Sequence, residues 1–244
     1  MALLGYGDDT ESAQWLCGGT IISERFILTA GHCSYAPKIG SIKYAALGIL
    51  KRTDPKELWN IYVIKRTILH PEYKPPSKYH DIALLETDTE ITFGKNVLPA
   101  CLDIGRRTDT NIVEAAGWGR LGHRQELADT LQVIEVQEFS EKECAEIYSP
   151  HRHLKFGYNH SIQCCFGSRS MAIDTCEGDS GGPLQDNNAR CLYTVVGVTS
   201  YGKSCGTIGS PGMYTRVEFY VPWIESVVWP EKSYGPDTII WPDD

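Results

Sequence analysis

The stretch Asp174-Thr-Cys-Glu-Gly-Asp-Ser-Gly-Gly-Pro183 is the most unusual part of this 244-residue chain. It surrounds Ser180 with glycines, which let the backbone approach a bound molecule and point several N–H groups at one spot. Serine is a weak nucleophile, so chemistry at Ser180 needs a base and an acid that orients the base. The stretch therefore directs attention to histidines and carboxylates elsewhere in the chain.

Gly178-Asp-Ser-Gly-Gly182 also satisfies the G-x-S-x-G pattern of α/β-hydrolases, but the rest of the sequence does not fit that fold. In those enzymes the acid and then the histidine follow the serine along the chain. Here the last histidine is His160, and Pro183 follows the serine where a helix would have to begin. These two features exclude the α/β-hydrolase interpretation.

Two residues upstream of Ser180 have surroundings that suit the base and the acid. His32 ends the apolar segment Ile27-Leu-Thr-Ala-Gly-His-Cys33, beside a cysteine that could fix its position. Asp81 leads directly into the apolar run Asp81-Ile-Ala-Leu-Leu85. A buried carboxylate needs a partner, and an imidazole N–H would serve. Each residue alone is weak evidence, but together with Ser180 they form a His, Asp, Ser order along the chain.

The composition is that of an ordinary globular chain with an acidic balance. Hydrophobic residues make up 42%, and 23 basic against 31 acidic residues give a net charge of −8. This composition excludes a disordered or collagen-like chain. No apolar run approaches the roughly 20 residues that a membrane span needs. The negative charge argues against general nucleic-acid binding and against adhesion to an anionic membrane surface.

Short segments rich in β-branched and aromatic residues, separated by Pro and Gly, predict an all-β fold with few helices. Strands are expected at 59–68, 81–85, 111–116, 131–139, 191–200 and 212–219. One helix is expected at 141–148, with Ser140 and Glu143 forming a capping box. A last helix is expected at 220–229, with Pro222 in its first turn.

Seven segments in order resemble the trypsin-like serine proteases of the chymotrypsin fold. Besides those around His32, Asp81 and Ser180, they are Cys17-Gly-Gly-Thr-Ile-Ile22, Gly117-Trp-Gly119, Ser200-Tyr-Gly202 and Pro211-Gly-Met-Tyr-Thr-Arg-Val217. The resemblance implies two six-stranded antiparallel β-barrels with a C-terminal helix and an active site in the cleft between them. It further implies a catalytic domain over residues 1–230, followed by a surface tail at 231–244.

The resemblance gives each chemical residue a role in peptide-bond hydrolysis through an acyl-enzyme intermediate. Ser180 would attack the scissile carbonyl, and His32 would take its proton and pass it to the leaving amine. Asp81 would fix the tautomer of His32 and stabilise the imidazolium. The backbone N–H groups of Gly178 and Ser180 would form the oxyanion hole. No metal and no cofactor are implied.

The resemblance also implies cleavage after Arg or Lys. Asp174 lies six residues before Ser180, where the family places the base of its primary pocket, and a carboxylate there pairs with a basic side chain. Glu177, at the rim, is expected to disfavour acidic residues close to the cleaved bond. The other residues that match the lining of the pocket are Thr175, Ser200, Gly202 and Gly212.

Nine cysteines without paired zinc-ligand spacing indicate disulfide bonds, and hence a secreted, extracellular protein. Because nine is odd, at least one cysteine is free or pairs outside the chain. Cys101 matches the cysteine that tethers such domains to an amino-terminal pro-region. Pairing of Cys164 with Cys191 stays open at this point. The disulfides that the resemblance implies are Cys17–Cys33, Cys144–Cys165 and Cys176–Cys205.

The sequence departs from the active family members at its beginning. Those members start with a hydrophobic-Val-Gly-Gly terminus whose ammonium group pairs with the aspartate before the serine, here Asp179. The start Met1-Ala-Leu-Leu-Gly5 does not match that pattern. We therefore expect an incomplete catalytic domain in which Asp179 is a buried carboxylate without a partner, a costly arrangement. A zymogen-like chain that begins at Met1 is the alternative.

Two interpretations of the biological role follow. Ala30-Gly-His32, Cys101 and Gly197-Val-Thr-Ser-Tyr201 are similar to arthropod haemolymph proteases that carry a clip-type pro-domain. That similarity implies a place in an extracellular proteolytic cascade, with protein substrates cleaved at Arg or Lys and with serpin-type inhibitors. The competing interpretation is a catalytically silent, protease-like adaptor.

Overall fold

The computed structural model describes residues 1–105, 112–120, 122, 125–171, 175, 178–188, 191–202 and 207–230. Four sequence-based expectations fall outside these ranges. They concern the pocket base Asp174, the rim residue Glu177, the pair Cys176–Cys205 and the tail 231–244.

The amino-terminal half forms a closed antiparallel barrel of six strands with one short strand added. The strand order is β1-β2-β3-β7-β6-β5, and pairing of β1 with β5 closes the barrel, while β4 pairs only with β5. The strands are β1 (Ala2–Tyr6), β2 (Gln14–Ile21), β3 (Phe26–Thr29), β4 (Tyr35–Ala36), β5 (Gly40–Leu47), β6 (Asn60–Leu69) and β7 (Ala83–Thr87).

The carboxy-terminal half repeats this architecture. The strand order is β12-β9-β10-β11-β14-β13, closed by pairing of β12 with β13, and β8 adds to β13 in parallel. The strands are β8 (Cys101–Leu102), β9 (Ile112–Gly117), β10 (Gln132–Glu138), β11 (Gln163–Gly167), β12 (Pro183–Asn188), β13 (Cys191–Tyr201) and β14 (Gly212–Arg216). The predicted pair of six-stranded barrels is confirmed, and β4 and β8 were not foreseen.

Two α-helices complete the described part of the chain, α1 (Glu141–Ile147) and α2 (Val217–Val228), with short 3-10 turns at Gly31–Ser34 and Lys56–Leu58. The capping box of α1 is confirmed: the Glu143 amide donates to Ser140 Oγ, and the Ser140 amide donates to the Glu143 carboxylate at 2.8 Å. None of the described helices is long and apolar enough to cross a membrane.

The last helix begins three residues earlier than predicted. The expected strand at 212–219 ends at Arg216, and α2 starts at Val217, so that Pro222 lies within the helix rather than in its first turn. Val217, Tyr220 and Ile224 are all at most 1% exposed. Their spacing places them on one helical face, and burial of that face outweighs the hydrogen bond that Pro222 cannot donate.

One large buried apolar cluster extends across both barrels. Leu28 and Leu84 of the first barrel belong to the same buried cluster as Val198 of the second and Ile224 of α2. A direct hydrogen bond also crosses the junction: the Gly18 amide of the first barrel donates to the Ser180 carbonyl oxygen of the second. The functional residues lie along this junction, so their relative positions depend on the docking of the barrels.

Candidate active site

A tight turn after β3 positions His32. The turn Gly31–Ser34 packs against the ring of Tyr73, and a Cβ at Gly31 would lie 2.8 Å from that ring, so only glycine fits. A disulfide bond between Cys33 and Cys17 attaches the turn to β2. These contacts hold the backbone of His32 while leaving its side chain 29% exposed.

Asp81 binds His32 at two points. The backbone amide of His32 donates to Asp81 Oδ1 at 2.8 Å, and the ring Nδ1–H donates to Asp81 Oδ2 at 2.8 Å. Asp81 itself is 1% exposed. Because the Nδ1 proton is held by the carboxylate, Nε2 is the ring nitrogen left to accept a proton from another group.

Two hydroxyl groups of the second barrel support Asp81. Ser200 Oγ donates to Asp81 Oδ2 at 2.5 Å, and Thr215 Oγ1 donates to the Asp81 carbonyl oxygen at 2.8 Å. Burial acts to raise the pKa of Asp81, but the charge of His32 and the hydrogen bonds from His32 and Ser200 outweigh it. The pKa therefore lies below its ordinary value, and the carboxylate stays ionised in the interior.

The backbone around Ser180 lies against the turn that carries His32. The Gly18 amide donates to the Ser180 carbonyl oxygen at 2.7 Å, and the Gly181 amide donates to the Thr199 carbonyl oxygen at 2.8 Å. Gly181 has a φ of +77°, and a Cβ there would lie 3.2 Å from the amide nitrogen of Ala30. Among the described residues, no hydrogen bond joins the Ser180 hydroxyl to the His32 ring.

Gly178 and Asp179 shape the segment that leads to Ser180. Gly178 has a φ of +99°, a conformation that other residues rarely adopt. Asp179 is 8% exposed and accepts the Gly119 amide at 2.8 Å. The expectation of a buried Asp179 without a partner is therefore wrong. A Cβ at Gly117 or at Gly119 would overlap the Asp179 carboxylate, so these glycines make that approach possible.

Two of the expected pocket residues, Ser200 and Gly212, lie on the neighbouring strands β13 and β14. Thr175 Oγ1 lies 3.1 Å from the hydroxyl of Tyr214 on β14. Tyr214 pairs across the sheet with Thr199, the residue before Ser200 on β13. Gly212 is buried at the start of β14, and Gly202 directly follows the end of β13.

The disulfides Cys17–Cys33 and Cys144–Cys165 are confirmed. Cys101 is disulfide-bonded in the structure, which gives no support to the tether expected from this cysteine. The buried thiol of Cys164 donates to the carbonyl oxygen of Tyr214 at 3.9 Å, and the side chain of Cys191 lies outside the described part of the structure.

One cluster of metal-type ligands remains when disulfide sulfurs are set aside, within the residues that the structure describes. It consists of His70, Glu72 and His80. The two imidazole rings stack 5.3 Å apart with an interplanar angle of 10°. His70 Nδ1 accepts the Glu72 amide, and His80 Nδ1 bonds the hydroxyl of Tyr220. The absence of a metal site stays a prediction.

Sequence reasoning identified His32, Asp81 and Ser200 but missed two supporting contacts. Thr215 belongs to the quoted segment 211–217, yet nothing in that segment indicates that its hydroxyl holds the Asp81 backbone. Gly119 was recognised only as part of Gly117-Trp-Gly119, and its contact with Asp179 spans 60 residues of sequence.

Comparison with known proteins agrees with this geometry. Residues 4–224 match the family model described as Trypsin. The chain is 34% identical over 235 residues to serine protease snk of Drosophila melanogaster, covering 93% of this chain and 53% of that protein. It is 37% identical over 242 residues to CLIP domain-containing serine protease C9 of Anopheles gambiae, covering 93% and 64%.

A third relative is phenoloxidase-activating factor 1 of Holotrichia diomphalia, which is 33% identical over 253 residues. That alignment covers 94% of this chain and 66% of the relative. The chain thus spans between about half and two thirds of the length of these three relatives.

Proposed function

Because the chain belongs to the trypsin family, a family of serine proteases, we propose that it is a serine endopeptidase that cleaves after Arg or Lys. The observation that carries this proposal is the hydrogen-bonded series Ser200, Asp81 and His32 beside the backbone of Ser180. A buried carboxylate that holds an imidazole in one tautomer is the arrangement that activates a serine hydroxyl.

The chemistry then follows from the roles of three side chains. Ser180 Oγ attacks the scissile carbonyl carbon while His32 Nε2 takes the hydroxyl proton, which gives a tetrahedral intermediate. Collapse of this intermediate breaks the C–N bond, and His32 returns the proton to the leaving amine. Water then attacks the acyl-enzyme by the same route and releases the acid. Asp81 stays ionised throughout and stabilises the imidazolium of His32.

The backbone amides of Gly178 and Ser180 are the proposed oxyanion hole. The charge that develops on the carbonyl oxygen needs donors that are already in position, because reorienting them during the reaction would cost free energy. The left-handed φ of Gly178 and the anchoring of Asp179 on the Gly119 amide support such a fixed position.

Specificity for Arg or Lys rests on Asp174, with Thr175, Ser200, Gly202 and Gly212 as the lining. A carboxylate at the base of a narrow pocket attracts a long cationic side chain and rejects a shorter or acidic one. Glycines at two lining positions leave room for such a side chain.

A role in an extracellular proteolytic cascade is the proposed setting. The disulfides Cys17–Cys33 and Cys144–Cys165 support an oxidising compartment and secretion. Relatives named as a CLIP domain-containing protease and as a phenoloxidase-activating factor support a cascade. Protein substrates and serpin-type inhibitors would then be its partners.

The test is hydrolysis of matched Arg, Lys and Phe chromogenic peptides, together with labelling by an active-site serine probe. The assay uses the chain with its given start and a zymogen whose cleavage exposes an Ile-Val-Gly-Gly start. We expect turnover of Arg and Lys peptides in at least one form, lost in Ser180→Ala and strongly reduced in Asp174→Ser. If neither form shows turnover or labelling, the protease interpretation is refuted and the adaptor interpretation is favoured.

A further inference from the structure

Basic side chains cluster beside the candidate active site. They come from the segment before Asp81 and from the loop after α1, and none of them takes part in the proposed chemistry. We call them the basic patch: Lys78, His151, Arg152, His153 and Lys155. In a chain with a net charge of −8, such a local excess of cations needs an explanation.

The backbone holds the two halves of the basic patch together. The Lys78 amide donates to the His153 carbonyl oxygen at 2.8 Å, and Gln163 Nε2 donates to the Lys78 carbonyl oxygen at 3.1 Å. Nearby, the Tyr79 hydroxyl donates to the Gly157 carbonyl oxygen at 2.7 Å and accepts the Phe156 amide at 2.8 Å. The cations are therefore presented on a backbone that is already ordered.

Lys78 connects the basic patch to the substrate side of the site. Its Nζ lies 4.9 Å from the ring centroid of Tyr201, the residue that follows Ser200 at the end of β13. Tyr201 thus stands between Ser200 and Gly202, two of the proposed pocket residues. Lys78 therefore lies close to the entrance of the proposed pocket, where residues next to a bound Arg or Lys would be within its reach.

Within the part of the chain that the structure describes, no ion pair neutralises the cations of the basic patch. Among the described residues, no carboxylate lies within ion-pair distance of Lys78, Arg152 or Lys155, whereas Lys43, Arg66 and Arg169 each pair with an acid. Burial, followed by the positive charges of Arg152, Lys78 and His151, lowers the pKa of His153. Unpaired charges of one sign attract the opposite charge on a binding partner.

We propose that this protease prefers substrates with Asp or Glu two to four residues before the Arg or Lys at which it cleaves. Lys78 and the rest of the basic patch bind these acidic residues. The proposal rests on the proposed function and adds a substrate class to it. Glu177, which the resemblance places at the rim of the pocket, would repel acidic residues directly around the cleaved bond, and this expectation restricts the preference to positions farther upstream.

The test compares kcat/KM for three Arg peptides on the activated protease. The first peptide carries two Asp residues at positions that lie two to four residues before the Arg. The second has Asn at the same positions, and the third has the two Asp residues after the cleaved bond. We expect the first peptide to be cleaved about 5-fold better than the second at low ionic strength, since each exposed charge pair contributes only tenths to one kcal/mol. The preference should largely disappear in 1 M NaCl.

Variants assign the preference to the basic patch. The ratio of kcat/KM for the upstream-Asp peptide to that for the Asn peptide should fall toward one in Lys78→Gln and in the exposed-loop variant Arg152→Gln. In the double variant Lys78→Glu/Arg152→Glu the ratio should fall below one. Lys95→Glu makes a matched charge reversal at an exposed lysine outside the patch and should keep the wild-type ratio. Using a ratio within each variant removes any general loss of activity or folding.

The outcomes separate this inference from the proposed function. The inference alone is overturned if the probe labels the protein and Arg peptides are cleaved, but the upstream Asp and Asn peptides have equal kcat/KM. A preference for Asp after the cleaved bond would have the same meaning. If labelling and turnover are both absent, the inference and the proposed function are both overturned. Fluorescence-polarisation titration of Ser180→Ala with the product peptide ending in Arg provides a readout without catalysis, and the acidic peptide should bind about 5-fold more tightly than the Asn peptide. Equal binding, or stronger binding of heparin than of the acidic peptide, would also count against the inference.

Discussion

At the scale of single residues, the site depends on hydrogen bonds to buried charge. Ser200→Ala removes the bond that Ser200 Oγ donates to Asp81. A hydrogen bond to a charged group contributes about 1.5–3 kcal/mol, so we expect a loss of stability in that range and a fall in kcat/KM. Urea unfolding at pH 7 and peptide hydrolysis measure both effects. Ser41→Ala, at an exposed serine, is the control that should change neither, and unchanged values for Ser200→Ala would contradict the prediction.

A second residue-scale prediction concerns Gly119. In Gly119→Ala the new Cβ would overlap the Asp179 carboxylate and displace the segment that leads to Ser180. Loss of one oxyanion-hole donor typically lowers kcat by about 100- to 1,000-fold, and we expect a fall of at least about 100-fold. In Gly94→Ala the new Cβ has no atom within 4 Å, so this variant should retain wild-type kcat. A Gly119→Ala enzyme of normal activity would show that the contact with Asp179 is not needed.

At this scale the sequence indicated the residue types but not all of their partners. The polar start of an apolar strand predicted that Asp81 would be buried beside an imidazole. The contact of Thr215 with the Asp81 carbonyl joins residues 134 apart, and no local pattern records a distant hydrogen bond. The partner of Asp179 was missed for the same reason.

At the scale of elements, α1 offers a direct test of capping. Ser140→Ala removes the acceptor for the Glu143 amide, and the loss of an N-cap costs about 1 kcal/mol. We expect a lower midpoint of thermal unfolding with nearly unchanged kcat/KM, because α1 does not contribute to the proposed site. Ser140→Asp restores an acceptor and should recover most of the stability. Failure of that rescue would mean that the side chain acts in some other way.

Glu143 also links α1 to the acid stability of the protein. Hydrogen bonds from Arg169 and Ser140 lower the pKa of Glu143 from 4.5 to about 2. A carboxyl whose pKa is lower in the folded state stabilises the protein above its unfolded pKa, and this contribution is lost as pH falls through the folded pKa. Glu143→Gln should therefore flatten the decline in stability between about pH 4.5 and pH 2, measured by urea unfolding. A decline as steep as in the wild type would contradict this.

Element boundaries were predictable within a few residues where local chemistry marks them. The Ser140 and Glu143 pair identified the start of α1 because its hydrogen bonds are local. The start of α2 was placed too late because Pro222 suggested a first turn, whereas burial of Val217 in the large apolar cluster extends the helix backward. Tertiary packing decided that boundary.

At the scale of the whole molecule, His70 couples the packing of α2 to pH. His70 is 7% exposed and contacts the rings of His80, Tyr220 and Trp223, with Glu72 adjacent. Burial and then the charge of His80 lower the pKa of His70, which Glu72 opposes. His70 therefore binds fewer protons in the folded protein than in the unfolded chain. Its contribution to the stability of the folded protein is complete above about pH 6.5 and is lost on acidification. The midpoint of thermal unfolding should fall less between pH 7 and pH 5 in His70→Phe than in the wild type or His151→Gln.

The barrel architecture itself followed from the resemblance, but its closure could not be read from strand patterns. Alternation of residue types predicts a strand and not its partner. The pairing of β1 with β5 joins segments distant in sequence, and the second barrel closes through β12, which pairs both with its neighbour β13 and with the distant β9. The two-residue strands β4 and β8 carry too few residues for any periodicity.

The position of Asp81 has a consequence for how the protein is made. Its carboxylate and carbonyl belong to the first half of the chain, while the hydroxyls that hold them, on Ser200 and Thr215, are synthesised more than a hundred residues later. A ribosome-bound chain whose first barrel has folded has neither these supports nor Ser180. The proposed catalytic triad therefore cannot assemble until both barrels have been synthesised and have docked.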